Sequence, residues 1–297
     1  MSSLKISNLS KIYPNGVKAL DNISLEIPNG MFGLLGPNGA GKSSLMRTIS
    51  SLQEADSGSI FLDDLDVFKN PTALRKVLGY LPQEFGVYPH ITALQLLDHV
   101  AILKGISNKK ERKNLIEYLL EKVNLTEQKN KKVKSFSGGM KQRVGIAQAL
   151  IGNPKLIIVD EPTAGLDPGE RNRFHNLLAS VGEEVIVILS THIVDDVKEL
   201  CSNMAIMNSG QLVYQGTPQK GIDELQGKVW RKIISRNEVE AYQSKYYVIS
   251  DKLIAGKPLI HILDESNPEN GFEAITPSIE DVFFSKIKQT NETASSL

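Results

Sequence analysis

Between a predicted strand and a predicted helix the chain reads Gly36-Pro37-Asn38-Gly39-Ala40-Gly41-Lys42-Ser43, which fits the pattern G-x-x-x-x-G-K-[ST]. The strand is expected at residues 31–35, and the helix follows from the apolar spacing of Leu45, Met46 and Ile49. Small residues let the backbone fold tightly enough to aim several N–H groups at one phosphate. The amine of Lys42 then reaches the β- and γ-phosphates, and the Ser43 hydroxyl can bind Mg²⁺. The pattern therefore predicts a nucleotide held by its phosphates at the start of a helix.

Apolar runs on both sides of this loop predict the fold class. Residues 156–159 and 185–189 are continuous apolar runs of the kind expected for strands buried on both faces. Residues 84–152 are predicted to be largely helical, because Thr92 with Gln95 and Asn108 with Glu111 form capping patterns ahead of apolar positions at helical spacing. The chain up to residue 216 therefore predicts an α/β domain with a mostly parallel sheet and a helical subdomain at about 84–152.

The pattern changes near residue 217. Residues 229–234, 246–249 and 258–263 are predicted strands, the last two paired across a turn at Ala255-Gly256, and residues 279–287 are a predicted amphipathic helix. We therefore expect a nucleotide-binding domain at 1–216 and a small α+β accessory domain at 217–297. A dimer-stabilising role is favoured for the accessory domain, and a regulatory role or simple packing are the alternatives.

Composition excludes several classes of protein. The 297 residues carry 34 Lys+Arg and 34 Asp+Glu, so the net charge is zero and lacks the basic excess typical of a general nucleic-acid binder. The longest apolar run has five residues, against about 20 for a membrane-spanning helix. The first residues lack the apolar core of a signal peptide, and the single Cys201 excludes an internal disulfide. We expect a soluble chain in the cytoplasm with no nucleic-acid partner.

Two acidic residues follow the predicted strand at 156–159. The strand delivers Asp160 beside the phosphate loop, where it can hold Mg²⁺ through water. Glu161 is then placed to polarise the attacking water. Acidic residues often end strands, so the prediction depends on the phosphate loop earlier in the chain.

Ser137-Gly138-Gly139 stands before a second apolar helical run and has the features of another anion site: a hydroxyl, unobstructed N–H groups and a helix dipole. One nucleotide has no evident need of two such sites. The hypothesis is that residues 137–139 bind the nucleotide of a second subunit. The competing interpretation is an ordinary serine cap of a helix.

Together these motifs resemble, over residues 4–216, the nucleotide-binding subunits of ABC (ATP-binding cassette) transporters. The resemblance implies a P-loop NTPase fold of the ABC type, ATPase activity, and ATP and Mg²⁺ as cofactors. It identifies residues 36–43, with Ser44 next to them, as Walker A, Asp160 and Glu161 as Walker B, and residues 136–140 as the signature. Residues 164–167 correspond to the D-loop.

The resemblance also implies roles for single residues. Tyr13 is expected to stack on adenine, although it could be an ordinary turn tyrosine. Gln83 is expected to contact Mg²⁺ or the lytic water and to link the site to a membrane partner, and His192 to contact the γ-phosphate. Asp167 is expected to cross a dimer interface. The competing interpretation is that it caps the following helix, and one residue can fill both roles.

Two signature positions depart from the usual Leu-Ser-Gly-Gly-Gln, because Phe136 and Met140 stand at its ends. The phosphate-binding core of the motif is intact, and only side-chain contacts from Met140 are affected. The Met140 form is similar to subunits of bacterial exporters for drugs, antibiotics and lipids, as are residues 81–89 and 277–283.

The resulting hypothesis is an ATPase subunit that powers export through separate multi-span permease subunits. It would lie on the cytoplasmic face of the membrane and dimerise with a second nucleotide-binding subunit, either the same chain or a related one. The alternative is a soluble mechanical ATPase acting on DNA or ribosomes, which the single cassette, the lack of a heptad insertion and the neutral charge disfavour. A GTPase or small-molecule kinase is a more distant alternative, based only on a faint Asn108-Lys109-Lys110-Glu111 motif.

Overall fold

The apolar runs of the sequence form the central strands of the molecule. A computed structural model describes residues 2–83, 86 and 90–295. The strands are β1 (Ser3–Ile12), β2 (Lys18–Pro28), β3 (Gly30–Leu35), β4 (Ser57–Leu62), β5 (Leu65–Asp66), β6 (Leu78–Leu81), β7 (Leu156–Asp160), β8 (Ile186–Thr191), β9 (Asn203–Asn208), β10 (Gln211–Gly216), β11 (Val229–Ile233), β12 (Val248–Ile254), β13 (Lys257–Leu263) and β14 (Glu273–Ala274).

In the part of the chain that the structure describes, nine helices lie in the connections between these strands, and a tenth, long helix follows the last strand. They are α1 (Lys42–Ile49), α2 (Pro71–Val77), α3 (Ala93–Leu103), α4 (Lys109–Lys122), α5 (Gly138–Ala149), α6 (Pro168–Gly182), α7 (Val194–Leu200), α8 (Pro218–Glu224), α9 (Val239–Lys245) and α10 (Ile279–Ser295). Short 3₁₀ turns lie at Thr126–Gln128, Val133–Ser135 and Arg236–Glu238. None of the helices within the described ranges combines the length and the apolar character that a membrane span requires.

The central sheet has six strands in the order β10-β9-β3-β8-β7-β6, and all neighbours except β10 and β9 are parallel. Every residue of β7 and of β8 is buried, as the continuous apolar runs predict. The carboxyl ends of β3, β6, β7 and β8 meet at one edge of the sheet. That edge is where a parallel α/β sheet places its ligand.

A second, antiparallel sheet (β2-β1-β4-β5) packs near the first. Apolar side chains of both sheets and of α1 form one buried cluster, which includes Ile6, Phe32, Met46 and Ile188. Helix α1, which follows the phosphate loop, is held in place because its apolar side chains pack against those of both sheets.

The helical interval between β6 and β7 has the caps that the sequence predicts. Thr92 and Gln95 exchange both bonds of a capping box at the start of α3. Asn108 caps α4 by accepting from the N–H groups of Lys110 and Glu111, without the reciprocal side-chain bond. Their apolar faces join the cluster that covers the other face of the central sheet.

The chain after residue 216 forms a four-stranded antiparallel sheet, β12-β13-β11-β14, with a small core of its own. The predicted β12–β13 hairpin is present. The predicted strand start at Tyr246 is wrong, because Tyr246 caps α9, and β12 begins at Val248 and continues to Ile254. Residues 251–254 of β12 are exposed, so the apolar pattern did not predict that the strand continues over them. Backbone pairing with β13 keeps these residues in the sheet.

Helix α10 runs past the predicted end at Ile287 to Ser295. It packs against α7, α8, β9, β10 and β12. Its Ile279, Val282 and Phe283 belong to the same apolar cluster as Leu35 and Val159 of the central sheet. The C-terminal segment therefore shares a core with the strands that carry the phosphate loop.

Candidate active site

The loop at residues 36–41 requires glycine at its tight positions. Gly41 has φ +103°, and a Cβ on it would lie 2.4 Å from the carbonyl oxygen of Ala19. A Cβ on Gly36 would lie 2.6 Å from the carbonyl oxygen of Met207. Gly41 is also the residue before α1 and brings no side chain to cap it. The first-turn N–H groups of α1 are therefore left without a side-chain cap, as phosphate binding requires.

Lys42 closes the loop from the helix side. Its Nζ donates to the carbonyl oxygens of Gly36 at 2.6 Å and Pro37 at 3.1 Å, and it lies 3.9 Å from Glu161 Oε1. The residue is only 5% exposed, and this burial lowers its pKa, against the opposing effect of the carboxylates of Glu161 and Asp160. The charged amine is held at the point where phosphate oxygens would replace its carbonyl partners.

Asp160, the last residue of β7, is 6% exposed. Its Oδ1 has no hydrogen-bond partner among the residues that the structure describes, and burial raises its pKa. A buried, unpartnered carboxylate oxygen is costly unless a cation or a donor satisfies it. Mg²⁺ usually takes one or two carboxylates together with substrate phosphates, and the exposed Ser43 on α1 adds a hydroxyl. These residues fit Mg²⁺.

Glu161 lies at the centre of the site. Its backbone has φ +45°, a conformation that costs a non-glycine residue about 1–3 kcal/mol and clusters at functional sites. Its Oε2 accepts from Gln83 Nε2 at 3.1 Å, and its Oε1 lies 3.2 Å from His192 Nδ1. Lys42 at a helix start and Gln83 and His192 after strand ends thus each contact the Glu161 carboxylate, which itself follows a strand end.

A cavity of about 650 Å³ opens in front of these groups. Tyr13 forms part of its wall, and its hydroxyl lies 3.0 Å from Ser44 Oγ and donates to Gln53 Oε1 at 3.0 Å. Those bonds hold the Tyr13 ring in the cavity wall. The remaining lining residues are Val17, Lys18, Ala19, Asn38, Gly39, Ala40, Gly41, Lys42, Ser43, Ser44, Gln83, Glu161 and Ser209.

Some of these lining residues are absent from the sequence prediction. Val17, Lys18 and Ala19 lie around the start of β2, and Ser209 lies in the β9–β10 turn. Gly210 N–H donates to the carbonyl of Ala40 at 3.0 Å, which draws that turn onto the phosphate loop. No local pattern marks these residues, because tertiary contacts alone bring them to the site.

Residues 137–139 do not line this cavity, as far as its described walls show. Ser137 caps α5 by accepting from the Met140 N–H at 3.2 Å. A Cβ on Gly139 would lie 2.2 Å from Glu170 Oε2, so a larger residue there would displace the Glu170 side chain. Met140 packs its side chain against the apolar cluster. The structure therefore does not bring the serine-glycine motif to the chain's own phosphate loop.

Asp167 caps α6, since its Oδ1 accepts from the Glu170 N–H at 2.9 Å. This is one of the two predicted roles, and the interface role stays a prediction. The segment 81–89 lies partly outside the described residues, at 84, 85 and 87–89.

Comparison with known proteins places these features in a family. The family model described as ABC transporter matches residues 20–164. The linearmycin resistance ATP-binding protein LnrL of Bacillus subtilis is 34% identical over 88% of this chain and 81% of its own length. The probable multidrug ABC transporter ATP-binding protein YbhF of Escherichia coli is 33% identical over 94% of this chain, which spans about half, 51%, of that protein.

Relatives named for import and a solved cassette also match. The methionine import ATP-binding protein MetN of Carboxydothermus hydrogenoformans is 36% identical over 71% of this chain and 65% of its own length. The dimeric post-hydrolysis structure of the ATP-binding cassette MJ0796, bound to ADP and Pi, superposes with a TM-score of 0.66 at 27% identity, over 72% of this chain and 98% of that one. The predicted P-loop NTPase fold of the ABC type is confirmed.

Proposed function

The chain belongs to the ABC transporter family and carries its ATPase cassette, and from this premise we propose that it is the ATP-hydrolysing subunit of an exporter. The observation that carries the proposal is the group of side chains around Glu161. Relatives named for multidrug transport and linearmycin resistance support the export direction. The match to a methionine import protein shows that the cassette sequence alone is compatible with either direction.

We propose these roles for the site residues. The N–H groups of residues 36–44 and the amine of Lys42 bind the ATP phosphates, and Tyr13 stacks on adenine. Mg²⁺, held by Ser43 and Asp160, supplies neutralisation of phosphate charge when bound. Glu161 takes the proton of the attacking water, while His192 and Gln83 hold the γ-phosphate end and the water in place.

Two cassettes are needed for a complete site. Residues 137–140 stand outside the chain's own cavity, which is consistent with their binding the nucleotide of a second subunit, and Asp167 stands at the proposed interface.

The proposed partners are a second copy or a related cassette, and separate multi-span permease subunits that hold the complex at the cytoplasmic face of the membrane. All of these site residues precede residue 217. The segment 217–297 is proposed as an accessory that supports the dimer.

The test of the chemistry is Glu161→Gln. The amide keeps the shape and can remain in contact with Gln83, but it cannot accept a proton, so ATP turnover should fall by about 10²–10⁴-fold, the usual contribution of a general base. The variant should also accumulate an ATP-dependent dimer, measured by gel filtration. Glu184→Gln, the same charge change at an exposed position, is the matched control. Full turnover in Glu161→Gln would remove Glu161 as the base.

The test of the transport role is a tagged pull-down from detergent-solubilised native membranes. A stoichiometric multi-span protein would support the exporter, and its identity would indicate the cargo. Recovery with ribosomes or DNA would instead favour the mechanical ATPase.

A further inference from the structure

Asp196, in the first turn of α7, is fully buried and joins two loops of the active site. Its Oδ2 accepts from the hydroxyl of Thr163 at 2.7 Å and from the hydroxyl of Thr191 at 3.0 Å. Both threonines are themselves buried. A single carboxylate oxygen therefore bridges the segment after β7 and the end of β8.

The second oxygen of Asp196, Oδ1, contacts Arg171, whose positive charge balances the buried carboxylate. Oδ1 accepts from Arg171 Nε at 2.9 Å and lies 2.7 Å from Arg171 Nη2. It also lies 2.9 Å from His175 Nε2, and His175 Nδ1 contacts Glu199 at 2.8 Å. Charge-assisted bonds of this kind are among the strongest that side chains make, and they hold the carboxylate in one orientation.

Each threonine lies beside a residue of the site. Thr163 stands two positions after Glu161, whose left-handed backbone persists only where its surroundings hold it. Thr191 directly precedes His192, and its hydroxyl also accepts from the Ile193 N–H at 2.9 Å, which closes the turn around His192. The Glu161 N–H donates to the Ser190 carbonyl at 2.9 Å, so the two segments are linked on both sides.

We propose that Asp196 is a positioning residue for ATP hydrolysis. It sets the distance between the Glu161 carboxylate and the His192 ring by holding Thr163 and Thr191 on one oxygen. Asp196 does not line the nucleotide cavity formed by the described residues, and it acts only through these two neighbours. The inference rests on the proposed function, in which Glu161 and His192 act on one water and one phosphate.

The first test is Asp196→Asn, measured by steady-state ATP hydrolysis and by equilibrium binding of a fluorescent ATP analogue. A displacement of about 1 Å at a reacting group costs about 100-fold in rate, so kcat should fall by about that factor. The KM for ATP and the analogue affinity should stay within about threefold, because the phosphate loop is untouched. Asp195→Asn, the same charge change on the exposed neighbour in the same helical turn, should hydrolyse ATP like the wild type.

A second pair of variants keeps the test valid if the loss of a buried charge prevents folding. Thr163→Val and Thr191→Val each remove one bond to Oδ2 and leave the contacts of Asp196 with Arg171 and His175 in place. Thr191→Val also removes the acceptor of the Ile193 N–H, so Thr163→Val is the variant that isolates the bond to Oδ2. Each should lower kcat by about tenfold at unchanged KM, in line with the loss of one well-placed orienting contact. Thr163→Ser and Thr191→Ser keep the hydroxyl and should recover most of the rate, which a role in packing alone would not predict.

The outcomes separate this inference from the proposed function. If the wild type does not hydrolyse ATP, the proposed function fails. If the wild type is active and Glu161→Gln is not, while both valine variants keep a kcat within twofold of the wild type, the proposed function stands and the positioning role of Asp196 is refuted. A fall in affinity without a fall in kcat in the valine variants would also refute it.

Discussion

Val282→Ala should destabilise the ATPase cassette and the C-terminal sheet together. Val282 lies on α10, is fully buried, and packs so closely on α8 that a Cβ on Gly221 would lie 2.9 Å from its Cγ1. The apolar cluster that contains it also contains Leu35 and Val159 of the central sheet. A cavity at this position therefore weakens contacts on both sides of residue 217.

The size of the effect follows from the two carbon atoms removed. At about 0.8 kcal/mol for each buried carbon, their loss costs about 1.5 kcal/mol. A residual cavity of roughly 40 Å³, at about 24 cal/mol per Å³, adds about 1 kcal/mol. The free energy of unfolding should therefore fall by about 2.5 kcal/mol, which lowers the urea midpoint by about 1 M for a denaturant slope of about 2–3 kcal/mol per M.

Two probes report the two parts of the chain during urea unfolding. Trp230, the single tryptophan, lies on β11, and its indole donates to the Asp264 carbonyl at 3.1 Å, so its fluorescence reports the C-terminal sheet. Binding of a fluorescent ATP analogue reports the cassette. Ile254→Ala, at a position 50% exposed on β12, is the control and should change the stability by no more than about 0.5 kcal/mol. The shared core is refuted if Val282→Ala moves the tryptophan transition and leaves the nucleotide-binding transition in place.

Two further predictions concern the adenine end of the site and the acid stability of α10. Tyr13→Ala should weaken ATP binding about 5–150-fold, because base–aromatic stacking contributes about 1–3 kcal/mol. Tyr13→Phe keeps the ring and should bind ATP within about threefold of the wild type. If titration calorimetry gave Tyr13→Ala the same ATP affinity as the wild type, stacking would be excluded. Burial acts to raise the pKa of Asp281, but hydrogen bonds from His261 and Ser278 outweigh it and hold this pKa below its ordinary value. A carboxyl whose pKa is lower in the folded state than in the unfolded state stabilises the fold at pH values above its unfolded-state pKa, which is about 4 for Asp. That stabilisation is lost as the pH falls through the folded-state pKa. The Tm difference between the wild type and Asp281→Asn should therefore be largest near pH 7 and shrink below pH 4, and a difference independent of pH would contradict this explanation.

Local patterns predicted much of the fold. The strands β7 and β8 are buried along their whole length, and continuous apolar runs predict such strands because no residue of theirs faces water. The capping box of Thr92 and Gln95 is local in the same way. Helix α9 had no such signal. Its Tyr242, and Tyr246 at its C-terminal cap, pack with Phe272, which lies far along the chain, and that contact stabilises a helix of only seven residues.

The phosphate loop and its chemical groups follow from local sequence, because glycine conformation, the amine of Lys42 and the acids at the end of β7 are properties of residues that are adjacent in the chain. The bonds of Asp196 to Thr163 and Thr191, and the core that α10 shares with the central sheet, could not be predicted from local sequence. Those contacts join segments that are brought together when the helices pack on the sheet. Their strength depends on burial and distance, which appear only once the chain has folded.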